Sequence, residues 1–180
     1  MKTERYSTVA IVLHWAIALL IIGMLIFGED MVSNHHGATD FSRSLHATIG
    51  MAILALTFMR LGWRLVKTPP ALPQSMKPWE RKASKAAHHL FYVLLIAIPL
   101  TGWLSASAIS NEHGTAFFIA GLPMIVMPLP DLGEFYEAMH GLSGNLMWAL
   151  LALHVAGALK HQFLDGHKAY MARMGIGRSQ

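Results

Sequence analysis

The sequence predicts an all-α integral membrane protein, a four-helix bundle running up-down-up-down with both termini cytoplasmic. Three observations predict it. Of the 180 residues, 54% are hydrophobic and only 13% charged, whereas soluble domains of this length carry about 25% charge. Four apolar stretches long enough to cross a bilayer recur at about 9–27, 45–65, 84–108 and 138–163. The charges are also sorted. Thirteen of the fourteen Lys and Arg residues lie towards the two termini and the second connection, with Arg43 the exception; seven of the ten Asp and Glu residues lie in the first and third connections. By the positive-inside rule the basic side is cytoplasmic, so the formal charge of +4 has a membrane origin and not a nucleic-acid one.

The first span, Val9 to Phe27, has nineteen residues without a charge. It is too long for a signal-peptide core and lacks a small-x-small cleavage site. Gly28 to Ser44 is polar. The second span opens with His46 and closes with Arg60 and Arg64; Arg60 lies deep enough that it must snorkel or pair with an anion. A basic connection with four prolines follows, Val66 to Ala83. The third span carries His88 and His89 in its first turns and Pro99 further on, where a kink is expected. The long connection Ile109 to Glu137 has an apolar centre broken by Pro123, Pro128 and Pro130, which reads as an interfacial or re-entrant segment. The fourth span and a basic tail complete one expected domain over residues 1–180.

Cysteine is absent, which excludes disulfides, covalent c-type haem and cysteine-held iron–sulfur clusters. A metal centre must therefore draw on the eleven histidines, the twelve methionines or the carboxylates. The fourth span holds His140, His154 and His161 on one stripe, since steps of fourteen and seven residues fall only about 40° and 20° short of whole turns. Fourteen residues rise about 21 Å, most of a hydrocarbon core.

Depth then pairs the histidines. His46 and His140 open their helices at the outer face, whereas His14 and His154 lie in the inner half. Each pair joins an early helix to the fourth, as bis-histidine ligation of two b-type haems across a bundle requires. His46-x-x-x-Gly50 and His140-x-x-x-Gly144 repeat one pattern, in which glycine one turn on leaves room for a porphyrin face. The competing reading of Gly50 and Gly144 is helix packing by small residues. For one histidine alone, a hydrogen-bonded structural role would compete; four at matched depths argue for ligands. His88, His89 and His161 lie shallower on the inner side. They are either quinone-pocket residues that hydrogen-bond a quinone oxygen and pass a proton, or ordinary headgroup-facing side chains. His35, His36, His113 and His167 read as solvated, and Trp63, Trp79 and Trp103 as an interfacial belt.

The set comprises His14-Trp15, His46, His88-x-x-x-Tyr92, Pro99, and His140 with His154 fourteen residues on. It resembles the bacterial cytochrome b561 family, which is related to the membrane cytochrome subunits of nickel–iron hydrogenases and formate dehydrogenase. The resemblance runs from about Tyr6 to Phe163. It implies an inner-membrane protein with two haem b groups, iron held by His14, His46, His140 and His154, and electron exchange with ubiquinone or another quinone. Some members of that family oxidise superoxide outside. Here the outer connections sum to a formal −6, which would slow capture of an anion. The expected activity is that of a quinone-linked oxidoreductase carrying electrons between an outer donor and the quinone pool. Superoxide, or a soluble redox partner in a larger dehydrogenase complex, are the alternative donors. A histidine-lined metal or proton transporter is the non-redox alternative, although such proteins tend to have more spans and internal repeats.

Overall fold

A computed structural model describes residues 5–33, 37–72, 76–109, 129–164 and 171–176. Four helices dominate it: α1 Thr8–Phe27, α2 Asp40–Val66, α3 Pro78–Ile109 and α4 Pro130–Leu159. All four are long and apolar enough to cross a membrane, and no strand occurs among the described residues. A π-helical turn, Lys160–Leu164, follows α4, and a 3-10 turn, Met171–Met174, lies in the C-terminal tail.

The helices outrun the apolar stretches that announce them. α2 begins at Asp40 because Thr39 and Ser42 form a reciprocal capping box, each side chain accepting the other's backbone N–H. α3 starts at Pro78 and α4 at Pro130, where proline's missing N–H is harmless because the first helical donors have no partner anyway. Polar lead-in turns thus extend α2, α3 and α4 beyond the hydrocarbon-length spans expected from hydropathy. The apolar part of the third connection, like His35, His36, His113 and His167, lies outside the described residues.

Successive helices are antiparallel. The end of α2 meets the start of α1 where Trp63 Nε1 donates to Ser7 Oγ at 2.8 Å. The start of α2 meets the end of α1 where His46 Nδ1 lies 3.1 Å from the Gly28 carbonyl oxygen. α3 and α4 are tied at one end by Glu80 and Lys160, 2.7 Å apart, and at the other by Ser105 Oγ donating to the Gly133 carbonyl at 3.2 Å. Packing runs α1 on α2, α2 on α3 and α3 on α4, while α1 and α4 pack together only marginally. That leaves a cleft between the first helix and the last.

The core lies at mid-depth: Ile17 and Ile21 from α1, Ile53 from α2, Leu94 and Leu95 from α3, Met147 and Leu150 from α4. Met147 is fully buried and stands seven residues from both His140 and His154. Elsewhere large apolar side chains point outward, among them Leu19 and Leu153, as lipid contact demands. Hydroxyls on the spans bond their own helix: Thr57 Oγ1 donates to the Ile53 carbonyl and Thr101 Oγ1 to that of Ala97, both at 2.8 Å. In hydrocarbon no water would satisfy them. Pro99 lies buried inside a continuous α3, so the helix carries on through the expected kink site to Ile109.

Candidate functional site

The histidines assemble as two pairs, one towards each end of the bundle. At the end where the acidic first connection lies, the rings of His46 (α2) and His140 (α4) have centroids 6.0 Å apart. At the basic end, His14 (α1) and His154 (α4) stand 6.3 Å apart. All four rings are half-buried. In each pair two imidazoles from different helices stand close enough that together they could hold one haem iron.

Backbone carbonyls orient the first pair. His46 Nδ1 donates to the Gly28 oxygen at 3.1 Å, and His140 Nδ1 donates to the Ile98 oxygen at 2.8 Å. With the proton on Nδ1, the lone pair of each ring is on Nε2, the tautomer a ligating histidine needs. Gly102 on α3 is what admits His140: a Cβ there would sit 3.1 Å from both Cε1 and Nδ1 of the ring. Gly28 serves His46 through its carbonyl: a Cβ there would collide with the Met24 carbonyl oxygen, whereas His46 Cε1, at 3.4 Å, would be in ordinary contact. Hydropathy and histidine spacing gave no hint of Gly102 or Gly28; both act across helix interfaces. At Gly144 a Cβ would meet nothing within 4 Å, and at Gly50 only the Pro99 Cβ at 3.9 Å. Space beside the first pair is therefore open at Gly144, while Gly50 faces α3.

The second pair lines a cavity in the α1–α4 cleft. Ile17, Ile21, Leu95, Met147 and Leu151 form its apolar walls. Among the three shallower histidines, only His88 lines it. The His88 ring centroid is 5.7 Å from that of His154, and its Nδ1 donates to the Ser84 carbonyl at 2.6 Å, leaving Nε2 as its free nitrogen. Phe91 packs edge-on against His154 with centroids 5.2 Å apart. His89 is exposed on α3. His161 is buried in the π-helical turn, outside the cavity lining, because the bonding changes at Lys160 and takes the chain off the stripe that carries His140 and His154. The C-terminal tail closes the cavity's basic end. Trp15 Nε1 donates to the Met174 carbonyl at 3.0 Å, Tyr6 N to the Arg173 carbonyl at 3.2 Å, and the Arg173 guanidinium to the Ala71 carbonyl at 2.7 Å.

Among the described residues, no three His, Asp or Glu side chains converge as a bare metal-ion site would require. The family model of the prokaryotic cytochrome b561 group matches residues 5–175, nearly the whole chain. The chain belongs to the prokaryotic cytochrome b561 family. It is 32% identical to cytochrome b561 homolog 2 of Escherichia coli K12, over 90% of this chain and 87% of that protein. It is 28% identical to the probable superoxide oxidase CybB of Yersinia pestis, over 89% and 90% of the two chains. A cytochrome b562 of Cereibacter sphaeroides is also 28% identical, with 88% of each chain covered. The protein is thus a multi-pass bacterial inner-membrane cytochrome that binds haem b and transfers electrons.

Proposed function

We propose that this cytochrome holds two haem b groups, one between His46 and His140 and one between His14 and His154. Electrons would pass between an outer donor and a quinone near the second site. The observation that supports the reading is the pairing itself: imidazoles from different helices stand 6.0 and 6.3 Å apart at two levels of the bundle. A bound haem supplies a one-electron couple and a wide ring edge for tunnelling. The protein does the rest. The Gly28 and Ile98 carbonyls hold the two rings of the outer pair in their ligating tautomer. Met147, Leu150, Ile21 and Ile53 keep water out of the layer between the sites. His140 and His154 are about 21 Å apart along α4, so porphyrin edges reaching inward from both would leave a gap short enough for tunnelling.

The basic end is cytoplasmic by the positive-inside rule, so the His14–His154 pair is the inner one. Quinone reduction takes up two protons and two electrons. His88 is the residue this reading assigns to it: its ring lines the cavity next to His154, and its free Nε2 can bond a quinone oxygen and pass a proton. His89 and His161 lack that access and are better read as headgroup-facing and packing residues. Superoxide is suggested as donor by the name of one relative, but the outer connections of this chain, at a formal −6, favour a neutral or cationic donor. The test is a pyridine haemochrome assay on purified protein, with an expected two haems per chain. One haem per chain would overturn the proposal.

A further inference from the structure

A second cavity, of about 270 Å³, lies at the basic end between the start of α1 and the end of α2. Arg5, Arg60, Arg64 and Lys67 line it, together with the hydroxyl-bearing residues Tyr6, Ser7, Thr68 and Tyr92, and among the described residues no carboxylate lines it. Four cations therefore converge on one space instead of spreading round a collar. Arg60 is the telling member. It is half-buried and lies six residues inside the end of α2, about 9 Å from it. Its guanidinium donates to the Tyr92 hydroxyl at 3.3 Å and the Ala10 carbonyl at 3.4 Å, both neutral. A cation at that depth next to hydrocarbon calls for an anion. The opening is held in shape by the Trp63–Ser7 hydrogen bond on one side and Pro69–Pro70 on the other.

We propose that this cavity binds the phosphate of an acidic phospholipid headgroup. The level is right, since Trp63 marks the bilayer interface, and anionic lipids are what juxtamembrane basic clusters attract. The hydroxyls supply neutral donors that fit phosphate oxygens alongside the charges. Because Arg60 lines both this cavity and that of the His14–His154 pair, a bound phosphate also offsets a positive charge beside that pair. Lipid binding itself does not depend on haem ligation, so it can fail or succeed independently of the haem assignment.

Native mass spectrometry of the full chain in detergent tests it, with phosphatidylglycerol and phosphatidylcholine supplied in equal amounts. The wild type should retain phosphatidylglycerol selectively. Arg64→Gln with Lys67→Gln should weaken that retention by roughly 30-fold, while Arg64→Lys with Lys67→Arg should keep it. Equal retention of the two lipids by the wild type would overturn the proposal without recourse to any variant. So would unchanged retention in the glutamine variant. Displacement of phosphatidylglycerol by an equal concentration of inorganic phosphate would reassign the site to a soluble anion. Loss of haem from the glutamine variant with lipid retention intact would reassign the cations to the cofactor's own carboxylates.

Discussion

On the proposed assignment, Gly102→Val should weaken haem binding between His46 and His140 and leave the His14–His154 site intact. A Cβ at residue 102 would lie 3.1 Å from Cε1 and Nδ1 of His140, already tighter than an ordinary van der Waals contact, and valine adds two methyl groups beyond it. The ring cannot simply retreat, because its Nδ1 is held by the Ile98 carbonyl at 2.8 Å, one turn back on the same helix as Gly102. Moving it breaks that bond, which contributes about 0.5–1.5 kcal/mol, and shifts the ring from its place 6.0 Å from that of His46. Loss of an orienting partner from a metal-binding histidine typically weakens metal affinity by about 10–100-fold. Haem titration of the apoprotein, followed by its absorption, should show the affinity of the His46–His140 site falling by that factor, with that of the other site unchanged. Gly102→Ala should lie between, since only a few tenths of an ångström must be found. Gly62→Val is the control, because a Cβ there would meet nothing within 4 Å. Two haems bound with wild-type affinities in Gly102→Val would refute the reasoning, for the ring would then have no need of the space that glycine leaves.

Three further outcomes are expected. His46→Ala or His140→Ala should leave one haem per chain with the spectrum of the inner site, and His14→Ala or His154→Ala one haem with that of the outer site; any of these variants retaining two haems would remove its residue from the ligand set. His88→Ala should slow re-oxidation of the reduced protein by a ubiquinone analogue by roughly tenfold or more while both haem spectra persist, and a wild-type rate would place the quinone elsewhere. Glu80→Gln should lower thermal stability in detergent by about 2 kcal/mol, less than for a wholly buried ion pair because Lys160, its partner at 2.7 Å, is 41% exposed. An unchanged melting temperature would show that the pair does not hold α3 to α4.

The function follows from the division of labour along α4. It contributes one histidine to each pair, and Met147 midway between them plugs the dry layer. The neighbours differ in kind. The outer pair is gripped by carbonyls of α1's C-terminal turn and of α3, whereas the inner pair faces a cavity shared with a third imidazole and roofed by the C-terminal tail. A tightly held pair at one end and a roomier one at the other suit the proposed passage of electrons from an outer donor to a quinone.

Four spans, their antiparallel order and the depth of each histidine were legible in the sequence, because hydrocarbon imposes a length and lipid asymmetry sorts the charges. Helical periodicity alone put His140 and His154 on one side of α4. Their partners followed from depth, since His46 and His14 are the histidines at matching levels. What a one-dimensional reading could not supply was the approach of one helix to another. Gly102 matters through His140, which lies across a helix interface, and the carbonyls of Gly28 and Ile98 come to orient His46 and His140 only once the bundle forms. His88 and His161 looked alike by composition and depth. Tertiary packing separated them, turning His88 into the α1–α4 cavity and burying His161 where Lys160 reaches across to Glu80 and the α-helical phase breaks. Periodicity and hydropathy are properties of one helix in its solvent, whereas a cavity is a property of the gap between helices, and only the folded bundle has one.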